Sequence, residues 1–207
     1  MRTVLIGGGA FGREILCWAN DAAQNGSFVM PTEYVDDGGA TLEGYDYDLQ
    51  YLGTLNDLNL ASGDSVLISI GDPAVRAQII AQLGAGVSCA TLIHPTCVIA
   101  RTAKLMKGVV IGPHGYVAAD AKVGKASFLN SFVGVGHDAV VGSCVTVSSQ
   151  VDIMGKVTIA DRAFIGSGAR ILPGVAIGEA AKVGAGAIVV RSVKTGATVF
   201  STPARVL

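Results

Sequence analysis

The sequence predicts two successive folds: a small α/β unit with a parallel sheet, then a solenoid of stacked triangular coils. Near the N-terminus, a short apolar run leads directly into a glycine-rich turn and a helical pattern. From Ile93 to Val189 an aliphatic residue recurs at every sixth position without an insertion. A fixed short period indicates a solenoid, in which each unit buries its apolar face by stacking on its neighbours. We therefore divide the chain into residues 1–92 and residues 93–207.

Composition argues against several classes of function. The chain has 207 residues and a formal net charge of −1, which gives no electrostatic basis for binding nucleic acid or an anionic membrane. Half of its residues are hydrophobic but only 6% are aromatic, which suits a core of Val, Ile and Ala. No basic leader precedes the first strand and no apolar run is long enough to span a bilayer, so we expect a soluble protein.

The cysteines indicate a reducing compartment. The four of them form no C-x-x-C pair, and we interpret Cys17 and Cys97 as small buried hydrophobic residues. We therefore expect reduced thiols and a cytoplasmic location.

The chain opens with the pattern of a βαβ unit. Thr3 to Ile6 is predicted as a strand, and Arg13 to about Ala23 as a helix. The segment between them, Gly7-Gly8-Gly9-Ala10-Phe11-Gly12, has the spacing G-x-G-x-x-G. In this context, glycines permit a tight turn, and free N–H groups at the start of the helix can bind a phosphate.

Further elements complete this first unit. They are predicted as the strands Phe28 to Val35, Val66 to Ile70 and Val87 to Leu92, and as the helix Pro73 to Leu83, with a loop and a short helix in residues 38–60. Asp36 and Asp37 follow the second strand, where acidic residues commonly bind a ribose hydroxyl or a base N–H.

Three interpretations of the glycine-rich turn stay open. The unit is short for the second half of a full dinucleotide fold, which counts against NAD. A nucleotide-linked small molecule suits the turn and the acidic pair better. A purely structural glycine turn is the third interpretation.

The solenoid repeat predicts its own cross-section. Each six-residue unit supplies one short strand and one corner, and three units complete a triangular coil whose aliphatic residues point to the axis. A helix is excluded, because a period of six does not keep one helical face apolar. Glycines at corners are expected where the backbone needs dihedral angles closed to other residues. They are Gly112, Gly124, Gly136, Gly142, Gly166, Gly178 and Gly184.

His137 is the main candidate for chemistry. It lies two positions after the inward Val135, so its side chain should project from the solenoid beside Asp138. A carboxylate hydrogen-bonded to one ring nitrogen raises the basicity of the other, as a general base requires. Asn130 interrupts the apolar pattern nearby, and Gly155 lies one coil above, where its N–H can meet a developing oxyanion. A surface histidine beside a surface aspartate is the alternative interpretation.

A combination of motifs resembles one family. The motifs are the glycine-rich βαβ unit, the turn Ser69-Ile70-Gly71-Asp72, a His94-Pro95 joint, the uninterrupted hexapeptide solenoid and the stretch Asn130-x6-His137-Asp138. Over nearly its whole length the chain is similar to the sugar O-acyltransferases of the sialic-acid O-acetyltransferase type. That group includes N-acetyltransferases of nucleotide-linked amino sugars such as bacillosamine precursors and perosamine. The repeat is specific to the fold, and the combination to the family, but neither is specific to a substrate.

The resemblance implies a Rossmann-like N-terminal domain and a left-handed β-helix, assembled as a homotrimer with active sites between subunits. It implies His137 as the catalytic base, Asp138 as the carboxylate that raises its basicity, and Asn130 as an amide in the acceptor pocket. The contacts it implies for acetyl-CoA, along the solenoid, are Thr146, Gly155, Ser167 and Ala185. The residues it implies for the nucleotide and sugar are Gly9, Ala10, Phe11, Asp36, Asp37, Gly71 and Asp72.

Three positions depart from the pattern of the family. Phe11 stands where some members have His, so a polar contact to the sugar nucleotide would be either missing or replaced by stacking. Ala139 follows the His-Asp pair where Cys is frequent, and we interpret it as packing only. The usual Gly-x-Pro-Ala-basic ending of the family stands here as Ser201-Thr202-Pro203-Ala204-Arg205, and Arg205 is interpreted as a solvated residue rather than a ligand of a CoA phosphate.

The functional hypothesis is acetyl transfer from acetyl-CoA to the amine of a nucleotide-linked amino sugar, a 4-amino-4,6-dideoxyhexose. We expect a role in the synthesis of surface glycans such as lipopolysaccharide, without a metal, since orienting two substrates supplies much of the acceleration. One alternative is O-acetylation of sialic acid or another sugar hydroxyl. A second is a non-catalytic trimeric scaffold that binds sugar nucleotides.

Overall fold

The structure is a computed structural model that describes residues 2–84 and 86–201, so Arg205 lies outside the described residues. The N-terminal unit contains strands β1 (Thr3–Ile6), β2 (Glu33–Val35), β3 (Gln50–Tyr51), β4 (Ser65–Ile68) and β5 (Ser88–Cys89), helices α1 (Ala10–Gln24) and α2 (Pro73–Leu83), and a 3₁₀ turn (Leu55–Asp57).

The N-terminal strands form one parallel sheet in the order β3-β2-β1-β4-β5. Helix α1 connects β1 to β2, and α2 connects β4 to β5. Leu5 and Leu67 at the centre of the sheet are fully buried with Ile15 of α1. The predicted bounds of β1 and α2 are confirmed.

Helix α1 begins three residues before the predicted Arg13. Gly9, with φ −61° and ψ −169°, is the residue that precedes the helix, and Gly7 has a positive φ of 96°. The turn is therefore confined to the first three glycines of the motif, and the remainder of the motif is already helical.

Three other predicted strands differ from the structure. β4 covers Ser65–Ile68 instead of the predicted Val66 to Ile70. β2 covers only Glu33–Val35 of the predicted Phe28 to Val35, because Pro31 has no N–H to donate to a neighbouring strand. The predicted strand Val87 to Leu92 is split, since Ser88–Cys89 pairs with β4 while Leu92 already belongs to the solenoid. The short β3 was not predicted.

The solenoid confirms the six-residue period. Each strand from β6 to β22 has two residues, of which the second is the recurring aliphatic residue. The strands are β6 (Leu92–Ile93), β7 (Val98–Ile99), β8 (Lys104–Leu105), β9 (Val110–Ile111), β10 (Tyr116–Val117), β11 (Lys122–Val123), β12 (Phe128–Leu129), β13 (Gly134–Val135), β14 (Val140–Val141), β15 (Thr146–Val147), β16 (Asp152–Ile153), β17 (Thr158–Ile159), β18 (Phe164–Ile165), β19 (Arg170–Ile171), β20 (Ala176–Ile177), β21 (Lys182–Val183), β22 (Ile188–Val189) and β23 (Thr198–Val199).

The strands stack into three parallel sheets, which are the faces of a triangular prism. Tyr116 pairs with Gly134, eighteen positions later, so three units complete one coil. We name the sheet β6-β9-β12-β15-β18-β21-β23 the covered face, the sheet β7-β10-β13-β16-β19-β22 the open face, and the sheet β8-β11-β14-β17-β20 the lysine face.

The corners of the prism follow from the same order. Residues 130–133 and their repeats join the covered face to the open face, and we name this the amide corner. Residues 136–139 and their repeats join the open face to the lysine face, and we name this the histidine corner. Residues 142–145 and their repeats form the third corner.

The interior of the prism is aliphatic. Leu129, Val135, Ile153, Ile165 and Ile171 are fully buried in one continuous cluster. The second inward register, four residues after each strand end, consists of small or β-branched residues and is also buried from position 109 to position 187. The predicted apolar axis is therefore confirmed.

The N-terminal unit packs on the covered face. Trp18 stacks on Phe128 with ring centroids 5.8 Å apart, and Phe11 meets the same ring edge-on at 4.5 Å. Leu92 and Val110 complete this shared cluster. Helix α1 lies beside the amide corner, where His94 Nε2 is 3.0 Å from Asp21 Oδ2.

The four cysteines are free thiols, but one was misplaced by the sequence interpretation. Cys17 is exposed rather than buried, because it lies on the outer side of α1. Cys97 is half-buried, and burial raises the pKa of its thiol. Neither of the two helices described has the length and apolar character needed to cross a membrane.

The glycines at the corners have a different cause from the one predicted. A positive φ, between 52° and 72°, recurs at every sixth residue from His114 to Ala180, but the predicted corner glycines do not adopt it. Instead they lie where successive coils touch. A Cβ on Gly136 would be 2.6 Å from Gly155 N, and one on Gly166 would be 2.6 Å from Ala185 N. Lack of space, not backbone conformation, therefore requires glycine there.

Gly124→Ala and Gly174→Ala test this distinction. A Cβ on Gly124 would be 2.7 Å from Ser143 N, whereas at Gly174, with φ +72°, nothing lies within 4 Å. We expect Gly124→Ala to lower the free energy of unfolding by about 3 kcal/mol, since backbone atoms cannot move aside, and Gly174→Ala by about 1 kcal/mol. Urea denaturation measures both. Equal losses would contradict the close-approach explanation.

Candidate functional site

His137 projects from the histidine corner, as predicted. Its side chain is 65% exposed, and its Nδ1 lies 2.9 Å from Asp138 Oδ2. Asp138 occupies the positive-φ position of the corner, with φ 59°, a conformation that aspartate tolerates better than most residues. The carboxylate therefore holds one ring nitrogen, and Nε2 is left to act on a substrate.

Gly155 lies directly above the imidazole. A Cβ at this position would be 2.6 Å from His137 Nε2, so the ring occupies the space that any other side chain would need. The carbonyl of Gly155 accepts a hydrogen bond from Gly174 N at 3.1 Å. Its own N–H makes no backbone hydrogen bond within residues 2–84 and 86–201, and is available as a donor beside the base.

Asn130, Ser167 and Ala185 lie on the amide corner instead. Asn130 is half-buried, and its Oδ1 accepts a hydrogen bond from Ser131 N at 2.6 Å. Ser167 and Ala185 are exposed and stack one coil apart. The open face separates this corner from His137, roughly 15–20 Å at about 3.3 Å per residue. Within one protomer, the two sets of predicted residues are therefore apart.

A second cluster of predicted residues meets at the carboxyl edge of the N-terminal sheet. A cavity of about 190 Å³ is lined there by Gly7, Asp36, Asp37 and Ile70, among others. Asp37 is exposed, and Oδ1 accepts from Leu55 N at 2.8 Å. In parallel sheets, ligands bind in the crevice at this edge.

Asp36 acts within the protein. Its Oδ2 accepts hydrogen bonds from Gly8 N at 2.7 Å and Thr41 Oγ1 at 2.8 Å, and its Oδ1 accepts one from Gly38 N at 2.8 Å. The carboxylate thus ties the glycine-rich turn to the loop after β2. Its side chain shapes the cavity rather than being left free for a ligand.

The remaining predicted acceptor residues flank this edge. Gly9 and Ala10 at the start of α1 border open space, whereas Phe11 packs on Phe128. Asp72 caps α2, with Oδ1 accepting from Ala74 N at 2.8 Å and Val75 N at 3.0 Å.

The burial of Thr146 contradicts the prediction that this residue contacts CoA. The residue is only 4% exposed. Its hydroxyl donates to Gly71 O at 2.7 Å and accepts from Arg76 Nη2 at 2.8 Å. Both hydrogen bonds connect the N-terminal unit to the covered face, so Thr146 belongs to the contact between units.

Arg76 is a structural residue that sequence reasoning missed. Its guanidinium is buried and donates to Ala126 O at 2.8 Å and to Cys144 O and Val145 O at 3.0 Å each. It also donates to Ile70 O, so it holds the loop before α2 against the third corner. Burial lowers the pKa of Arg76 to about 10, and no carboxylate pairs with it in the described part of the chain. A lone arginine in a helix gives no signal in the sequence.

Comparisons with known proteins agree with this architecture. The family model "Bacterial transferase hexapeptide (six repeats)" matches residues 156–191, and no curated protein matches the chain by sequence. WeeI from Acinetobacter baumannii AYE is 30% identical, with a TM-score of 0.84 and all of both chains covered.

Two further solved structures are complexes with ligands. A mutant of perosamine N-acetyltransferase from Caulobacter crescentus, in complex with CoA and GDP-perosamine, is 27% identical with a TM-score of 0.83, covering 99% of this chain and 96% of that chain. The acetyltransferase domain of PglB from Neisseria gonorrhoeae FA1090, in complex with acetyl coenzyme A, is 28% identical with a TM-score of 0.70, covering 100% and 98%.

Arg76→Met tests the connection between the units. The substitution retains apolar volume but leaves buried carbonyls and the Thr146 hydroxyl without a donor, so we expect a loss of about 3 kcal/mol in the free energy of unfolding. The exposed Arg101 offers a matched control, since Arg101→Met should change stability by less than about 0.5 kcal/mol. Urea denaturation gives both values. An unchanged stability of Arg76→Met would mean that desolvation of the guanidinium offsets its hydrogen bonds.

Proposed function

This chain belongs to the hexapeptide-repeat N-acetyltransferases of nucleotide-linked amino sugars, and from that premise we infer that it transfers the acetyl group of acetyl-CoA to the amine of such a sugar. The observation that carries the inference is the exposed His137–Asp138 pair, whose free Nε2 lies beside Gly155. Relatives are described with CoA, acetyl-CoA or GDP-perosamine bound. Acetyl-CoA is the acyl donor.

The geometry supports direct transfer between the two substrates. The nitrogen of the neutral amine attacks the thioester carbonyl and forms the new C–N bond, while His137 Nε2 takes the proton from that nitrogen. Asp138 stabilises the imidazolium through Nδ1–H. The Gly155 N–H donates to the oxyanion of the tetrahedral intermediate. When the C–S bond breaks, the proton passes from Nε2 to the thiolate of CoA.

The N-terminal unit is proposed to bind the acceptor. We assign residues 1–92 as a Rossmann-like domain for the nucleotide sugar, supported by its parallel strand order and by the cavity at the carboxyl edge. Residues 93–207 then form the acetyltransferase domain, a left-handed β-helix. A 4-amino-4,6-dideoxyhexose is the proposed sugar. The cytoplasmic location and the role in surface glycan synthesis stay predictions.

A homotrimer is proposed because one protomer keeps its candidate residues apart. Asn130 is on the amide corner, whereas His137 and Gly155 are on the histidine corner. Phe11, near the carboxyl edge of the N-terminal sheet, touches Phe128, which precedes His137 in the same coil. This edge, which we name the acceptor edge, and the base are therefore at similar heights along the prism. A ring in which the amide corner of each protomer meets the histidine corner of the next brings the two sets together.

The open face favours this ring. It would turn toward the ring axis, and its outward residues include Val98, Tyr116 and Ile188, which are 62%, 49% and 64% exposed. Exposed apolar surface of this kind is typical of a subunit interface. Three inward faces close a triangle, which is why we propose three protomers.

His137→Ala tests the base. We expect turnover to fall by roughly 10²–10⁴-fold, with circular dichroism, oligomeric state and acetyl-CoA binding unchanged, because the side chain is exposed. Thiol release from acetyl-CoA, measured with a 4-amino sugar nucleotide and with its 4-hydroxy counterpart, gives the rate and separates N-acetylation from O-acetylation. Full activity in this variant would refute the mechanism.

Mixed oligomers test the shared site. Asn130→Ala and His137→Ala, each impaired alone, are co-expressed with different affinity tags and purified as mixed trimers. If Asn130 of one protomer serves His137 of the next, one of the three sites in every mixed trimer carries neither lesion, so about a third of the wild-type activity returns. Activity no higher than the mean of the two parent variants would place both residues in one protomer's site and contradict the proposed ring.

A further inference from the structure

Two lysines stack next to the catalytic pair without a structural reason. Lys104 and Lys122 are register partners on the lysine face, and Lys122 pairs in turn with Val140 of the His137 coil. Both side chains are exposed. Like charges directly opposite on neighbouring strands are destabilising, and no carboxylate lies within salt-bridge distance of either lysine in the ranges that the structure describes.

The lysines line a groove that reaches the catalytic pair. A cavity of about 310 Å³ is lined by Thr102, Lys104, Asp120, Lys122, Asp138 and Val140. Asp138 is hydrogen-bonded to His137. The two ammonium groups share the groove with one other carboxylate, that of Asp120.

The groove and Gly155 lie on opposite sides of the catalytic pair. Gly155 is one coil above His137, toward the C-terminal end of the prism, whereas Lys122 and Lys104 are in the two preceding coils. If the thioester of acetyl-CoA lies at the Gly155 N–H, the groove lined by the lysines, on the other side of the catalytic pair, is left for the acceptor. The two lysine backbones are about 4.8 Å apart, a spacing that lets two ammonium groups contact neighbouring phosphates of one diphosphate.

We propose that Lys104 and Lys122 bind the diphosphate of the nucleotide-linked amino sugar and so make the enzyme selective for a nucleoside diphosphate sugar over a free amino sugar. This inference rests on the proposed function. In the proposed ring, the diphosphate links the nucleotide, held by the N-terminal unit of the neighbouring protomer, to the sugar amine at His137. Lysine ammonium groups bind phosphate as mobile point charges, which suits a ligand that spans two protein surfaces.

The double variant Lys104→Gln/Lys122→Gln tests the proposal. We expect its KM for the nucleotide amino sugar to rise at least about tenfold, as loss of charge-assisted hydrogen bonds predicts, with the KM for acetyl-CoA and the kcat within about twofold of wild type. Lys107→Gln is the matched control, because Lys107 is an exposed lysine of the same coil as Lys104 but on the third corner. Its KM values should equal those of wild type.

The acceptor provides a second control. With the same amino sugar lacking the diphosphate, the wild-type enzyme and the double variant should have the same low kcat/KM. If the wild-type enzyme acetylates nucleotide amino sugars and the double variant keeps the wild-type KM for them, the diphosphate site is refuted while the proposed function stands. If the wild-type enzyme acetylates no nucleotide amino sugar, the proposed function fails and this site fails with it.

Discussion

Burial of the aliphatic ladder along the prism axis is the constraint on which the rest of the structure depends. Val135, Ile153 and Ile171 are fully buried and stack in register from one coil to the next. Backbone hydrogen bonds between coils, such as Gly136 N to Ile153 O at 2.6 Å, hold that stacking. Because the inward residues are all used for packing, only the outward strand residues and the corner residues can contact a substrate. His137, Asp138 and the stacked lysines all occupy such positions.

Packing of the N-terminal unit sets the height along the prism of the carboxyl edge of its sheet, which is the proposed acceptor edge. The aromatic cluster of Trp18, Phe11 and Phe128 supplies apolar contact, and Arg76 adds directional hydrogen bonds to the third corner. The guanidinium of Arg76 is surrounded by carbonyl oxygens and not by a carboxylate. Its contribution to the stability of the contact between the units therefore depends on hydrogen-bond geometry more than on charge pairing. The acceptor edge is thereby held in the region of the His137 coil but on a different side of the prism, which is the physical basis for proposing a shared site.

Local periodicity allowed much of the solenoid to be predicted, and it failed at particular residues. The bounds of each strand from β6 to β22 follow from the spacing of aliphatic residues, and the exposure of His137 follows from its offset from Val135. The corner glycines were recognised but attributed to dihedral angles, because contact between coils does not appear in a single repeat. Thr146 precedes the inward Val147 and therefore occupies an outward position of the repeat, but no repeat shows which outer face another unit covers. Lys104 and Lys122, one coil period apart, were detectable from the repeat and were overlooked.

Residue order along the chain determined the triangular coil, the outward histidine with its neighbouring aspartate, and the glycine-rich turn followed by an acidic pair. Each of these depends on residues close in sequence or on a short repeat. Three-dimensional packing decided the burial of Thr146, the role of Arg76, the internal use of Asp36 and the separation of Asn130 from His137. These depend on contacts such as Arg76 to Cys144, 68 positions apart, whose formation is governed by the whole fold and not by any local pattern.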